Sequence, residues 1–146
     1  MTTDARSLGA GAVAGLAGGV LFGIMMTAMG MMEMVAGLVE SDSVAVGWLL
    51  HLVISATFGA LYALVLGGAT ATYGRGAGIG LAYGLVVWIV GPLLVMPLWM
   101  GAPPFVIAEP QLMSLVGHLL FGVVLGLSYR ALAAGVSSSD AAQARA

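Results

Sequence analysis

Cysteine is absent from this chain, which excludes disulfides and thiolate chemistry outright. Charge is scarce as well. Only 7% of the 146 residues are Asp, Glu, Lys or Arg, against about 25% in an ordinary soluble domain. The net charge of −2 comes without any basic cluster, which argues against nucleic acid as a partner. The usual catalytic patterns are missing too. There is no H-E-x-x-H, no P-loop and no Ser–His–Asp set, and no acidic residue lies well inside an apolar run. The chain is therefore expected not to be an enzyme.

What fills the chain instead is apolar side chain, 61% by count, with a mean hydropathy of +1.11. A single soluble core of this size cannot hide so much apolar surface. Four runs, at 8–32, 44–66, 77–100 and 111–133, are each long enough to cross a bilayer, which takes roughly 20 helical residues. They are apolar on every side, without the alternation of a transmembrane barrel. The fold class expected is all-α, a polytopic membrane four-helix bundle forming one transmembrane domain over residues 1–136. The first run is longer than a signal core and reads as a retained span. The segment "SSSDAAQARA" at 137–146 reads as a disordered cytoplasmic tail.

Orientation follows from the cations. Arg6, Arg75, Arg130 and Arg145 fall at the two chain ends and in the second loop, which four spans place on one side. The first and third loops carry Glu33, Glu40, Asp42 and Glu109 and no cation. The positive-inside rule then predicts a cell (cytoplasmic) membrane protein with both termini cytoplasmic. Trp48 and Trp99 fall near the outer boundary, Tyr62 and Tyr129 near the inner one.

The chain also repeats itself. "HLVISATFGALY" from His51 matches "HLLFGVVLGLSY" from His118 in the spacing of its His, Gly and Tyr. Gly11, Gly15, Gly19 and Gly23 step by four along the first run, and Gly76, Gly80 and Gly84 along the third. The offset is 65 residues between the glycine motifs and 67 between the histidines. Two parallel-related helical hairpin repeats are predicted, related by a pseudo-two-fold axis along the membrane normal. Glycine stripes are expected to be close-packing faces, and a further exposed glycine face would favour a homo-oligomer or a larger membrane complex. Pro92 removes a backbone donor and predicts a kink in the third helix.

Polarity collects at one level. His51 and His118 each sit seven residues into their runs, about 10 Å deep at 1.5 Å per residue. Ser55 and Gly59 lie under one, Gly122 and Gly126 under the other. Apart from Met1, every methionine belongs to that same outer half, with Met25, Met29 and Met32 predicted to share one helix face. Three readings follow. A haem b clamped between His51 and His118 is the sharpest. A copper site using Met25, Met29, Met32 and Met96 is the second, since thioethers and imidazoles suit Cu(I). The third is purely structural: histidines bonded across helices and methionines as flexible filler. The leading expectation is a non-enzymatic small membrane subunit or ligand-binding bundle. A structural or assembly protein, or an oligomeric small-solute or copper transporter, are the alternatives.

The succession "GWLLHLVISATFGALYAL", "RGAGIGLAYGLVVWIVGPLLVMPLWMG" and "GHLLFGVVLGLSYRAL" resembles small prokaryotic four-helix membrane proteins, the YagU-like and related families of unknown function. The resemblance covers about residues 15–132. It implies the fold and the duplicated hairpin, and it implies no activity and no functional residue.

Overall fold

The computed structural model describes residues 5–143, with side chains described as far as Gly135. Among these residues there is no strand. The elements are α1 (Ala5–Ala28), α2 (Met32–Ala36), α3 (Val44–Leu66), α4 (Tyr73–Val90), α5 (Met96–Trp99) and α6 (Glu109–Gln143). Four helical stretches, Ala5–Ala28, Val44–Ala69, Tyr73–Trp99 and Glu109–Gly135, are long and apolar enough to cross a membrane. The all-α four-helix membrane bundle read from the sequence is the fold.

Three boundaries differ from expectation, each for a local reason. The first run is not one helix to Met32. It stops at Ala28, because Gly30 takes a left-handed turn (φ +65°) and the chain restarts as the short α2, a conformation that glycine adopts at little cost. Met25, Met29 and Met32 therefore do not share one helix face. The third run breaks where Pro92 predicts. α4 ends at Val90, and a π turn over Gly91–Val95 leads into α5, with the Met96 amide reaching back to the Gly91 carbonyl. Pro97 would have been the next partner of the Leu93 carbonyl but has no N–H. The Phe105 amide takes that carbonyl instead, at 2.7 Å, folding the following loop back onto the broken helix. Lastly, α6 starts at Glu109 with Pro110 in its first turn, where a missing amide hydrogen costs nothing. It runs on through Gln143, into the segment read as a tail, which holds no proline to end it. Residues 144–146, including Arg145, lie outside the described residues.

Glycine decides which helices meet. α1 packs along α3 and along α6, and α4 packs along α6. A Cβ on Gly15 would strike the Ser55 carbonyl oxygen, and one on Gly11 the Gly59 carbonyl. In the second pair, Gly80 faces the Gly122 carbonyl and Gly84 the His118 carbonyl. With no side chain between them, backbones touch, and dispersion contact holds helices that gain little from the hydrophobic effect in lipid.

The α1–α6 crossing uses a different device. The Phe22 ring fills the hollow over Gly117, while the Phe121 ring sits on Gly18. Each helix thus lends a ring to the other's glycine. α3 and α4 have no such exchange, and among the described residues few of their backbone positions come close. They are joined toward the end that carries the α3–α4 turn, where the Tyr83 hydroxyl donates to the Phe58 carbonyl at 2.8 Å. Tyr62 and Tyr83 also meet ring to ring, centroids 5.2 Å apart. Toward the methionine-rich end, no hydrogen bond or ring contact joins α3 to α4 among the described residues.

Candidate functional site

α3 delivers His51 and α6 delivers His118 to the methionine-rich half of the bundle interior. His51 is buried and bonds across to α1: its Nε2 lies 2.9 Å from the carbonyl oxygen of Gly19. That approach exists because the glycine stripe leaves the α1 backbone bare. One turn along α3, the Ser55 hydroxyl donates to the His51 carbonyl at 2.7 Å. His118 bonds within its own helix. Its Nδ1 is 2.8 Å from the Ser114 carbonyl oxygen and 3.3 Å from the Ser114 hydroxyl.

Phe22 of α1 stands against both imidazoles. Its ring centroid is 5.4 Å from that of His51 and 4.7 Å from that of His118, both edge-on. The paired-histidine haem does not fit this arrangement. A porphyrin clamped by two axial imidazoles needs open space beside both, and here the Phe22 ring, seated on Gly117, packs against each of them. The Nε2 of His51 is also already engaged by a backbone carbonyl.

The methionines read as a copper set are likewise dispersed. Met32 is wholly buried and packed on Gly47, Met25 is half-buried against the core, and Met29 is exposed. Of the four, only Met96 reaches the space beside the histidines. Among the described residues no three His, Cys, Asp or Glu side chains gather as a metal set.

What the histidines do border is a cavity of about 500 Å³. α1 contributes Phe22 and Met26, and α6 contributes Gln111, Ser114 and Phe121. α3 adds Ile54 and Phe58 beside His51; Val87, Val90, Pro92 and Met96 come from α4 and its broken extension. Across the methionine-rich end lie Met31, Met34, Val35 and Leu38, with Trp99, whose indole donates to the Leu38 carbonyl at 3.1 Å. Ile54, Val90 and Val95 line the cavity and are at the same time exposed on the outside of the bundle. Met34, Val39 and Trp99 at the methionine-rich end line it and are exposed too, so the cavity is open, and the gap between α3 and α4, whose backbones come close at few described positions, is its sideways mouth.

Volume, apolar walls and a few converging polar groups are the usual marks of a small-molecule site. The π turn at Gly91–Val95 forms part of the wall, and such irregular turns recur at functional positions. Of the residues singled out from the sequence, His51, His118, Pro92 and Met96 line this cavity, and Phe22, Gln111 and Ser114 line it without having been singled out. Ser114 carried a usable signal, four residues before His118 and so on the same helix face. Phe22 carried none, since only the α1–α6 crossing brings it against both imidazoles.

No family model matches this chain, and comparison with curated proteins and with solved structures finds no match either.

Proposed function

We propose that this chain is a non-enzymatic, ligand-binding bundle of the cell (cytoplasmic) membrane, with both termini cytoplasmic, which takes a small lipophilic molecule from the bilayer. The observation that carries this reading is the cavity of about 500 Å³ beside His51 and His118, open sideways between α3 and α4. A sideways mouth admits molecules already dissolved in lipid, and the imidazoles are polar fixing points in an otherwise apolar wall. The arginine distribution supports the orientation. The matched glycine steps of the two hairpins support their origin as repeats. A Cβ on Gly74 or Gly78 of α4 would meet nothing within 4 Å among the described residues. They offer a second copy, or a larger membrane complex, a close-packing face.

The test is native mass spectrometry of protein purified from its own membrane in mild detergent. A bound small molecule should appear on the wild-type chain and be lost from Ile54→Trp and Val90→Trp, which fill the mouth from exposed positions. A bare chain in every preparation would return the protein to the structural reading. That second reading has one observation in its favour: each imidazole already bonds a backbone carbonyl. It predicts that His51→Leu and His118→Leu alter stability and nothing else.

A further inference from the structure

The hydrogen bonds around the cavity constrain what can bind there. A backbone carbonyl oxygen can only accept, so the ring nitrogen beside it must carry the proton. At His51 that nitrogen is Nε2, bonded to Gly19 at 2.9 Å, which leaves a lone pair on Nδ1. At His118 it is Nδ1, bonded to Ser114 at 2.8 Å, which leaves a lone pair on Nε2. The two histidines thus hold opposite tautomers and present the same character, a hydrogen-bond acceptor. No carboxylate lines the cavity, so nothing there would balance an imidazolium.

Two donors around the same space are already engaged, while the Ser114 hydroxyl, 3.3 Å from the protonated His118 Nδ1, accepts there and keeps its own proton to donate. The Ser55 hydroxyl donates to the His51 carbonyl, and the Trp99 indole donates to Leu38. Gln111 accepts from the Ala108 amide through its Oε1, at 3.2 Å, which leaves its NH₂ as a donor beside the mouth. Around the imidazoles the balance is two acceptors against the one hydroxyl donor of Ser114.

Resting on the reading of this cavity as a ligand site, we infer that its ligand is a lipophilic hydrogen-bond donor. A phenol or long-chain alcohol, whose hydroxyl proton goes to His51 or His118, is the class selected. A ketone, ester, ether or oxidised quinone of the same shape is discriminated against. The selection works because burying the acceptor lone pairs against a group that cannot donate leaves them unsatisfied. The apolar walls accept the hydrocarbon of either class alike, so discrimination comes from the hydroxyl alone.

The experiment compares tritiated para-nonylphenol with its O-methyl ether, binding to the full chain in lipid nanodiscs. The phenol should bind saturably, and the ether about tenfold more weakly or worse, as expected for one unsatisfied buried acceptor. The gap should close in the double variant His51→Leu/His118→Leu, which removes both acceptors. Equal binding of both probes, abolished for both by Ile54→Trp, would keep the ligand cavity and overturn the selection for a donor. Saturable binding of neither probe would overturn the cavity reading together with the selection. Should the leucine variants fail to fold, ¹⁵N-histidine spectra of the wild type decide the matter. They should show an unprotonated Nδ1 on one ring and an unprotonated Nε2 on the other; any other pattern refutes the inference.

Discussion

The ring of Phe22 meets the imidazole of His118 edge-on, centroids 4.7 Å apart, while its rim rests over Gly117 of the same helix. One aromatic side chain thus closes the α1–α6 crossing and also packs against both histidines. The first prediction is optical. Protein purified with haem available should show no Soret band, oxidised or dithionite-reduced, because Phe22 packs against both imidazoles and the Nε2 of His51 is engaged by Gly19. A band lost in His118→Leu would overturn this.

Phe22→Ala removes that wedge. Truncating a buried phenylalanine costs about 3–5 kcal/mol in well-packed cores, and here the void would join the cavity beside the histidines. A large drop in the unfolding midpoint in mixed detergent is expected. A drop below about 1 kcal/mol would show that the α1–α6 contact does not carry the bundle.

Glycine substitutions should divide sharply by position. Gly80→Ala sets a methyl against the Gly122 carbonyl and must push α4 off α6, at about 1–3 kcal/mol. Gly78→Ala, two residues away and facing open space, should be neutral, or stabilising by up to about 1 kcal/mol through helix propensity. Equal losses at both positions, in the same unfolding assay, would contradict the packing described.

His51→Leu should cost little, about 1 kcal/mol, which is the range of single interhelical hydrogen bonds in membrane bundles. The Gly19 carbonyl lies inside α1 and keeps its own helical partner, so no acceptor is stranded. A loss of several kcal/mol would mean that the ring has a larger structural part than this bond.

Pro97→Ala would return a donor to the Leu93 carbonyl, in competition with the Phe105 amide that now holds it at 2.7 Å. The loop after α5 should loosen. Hydrogen exchange at the Phe105 amide is the measurement, and faster exchange than wild type is the expected result; unchanged protection would show that the loop is held by other contacts.

Much of the architecture was legible in composition alone. The span at 44–66 ends where glycine follows and begins after "ESDS", and the observed α3 has those same bounds. Pro92 announced the break in the third span because a missing amide hydrogen acts locally. The end of α1 was harder. Met29 to Met34 continue the apolar character past Gly30, and hydropathy does not register a change in backbone direction. In the site, depth was readable, since counting residues along a helix fixes it. Azimuth was not. Whether Met29 or Met26 faces the histidines depends on how α1 crosses two neighbours, and that is set by glycines on all three helices at once.

The unequal seams of the bundle have one more consequence. Along α1 and α6, Gly18 and Gly117 receive Phe121 and Phe22. Counting on by the repeat offset of 65 from Gly18 and Phe22 arrives at Tyr83 and Val87, and counting back by 67 from Gly117 and Phe121 arrives at Leu50 and Ile54. No glycine waits there to take a ring, so the corresponding clasp on the other side has no socket. If the hairpins descend from one ancestor, one copy of this crossing kept the task of holding the molecule together and the other was released from it. Residue size at 50, 54, 83 and 87 can then drift and reshape the mouth while the clasp at 18, 22, 117 and 121 stays untouched. A bundle divided in this way can change what it admits without first having to survive a loss of stability.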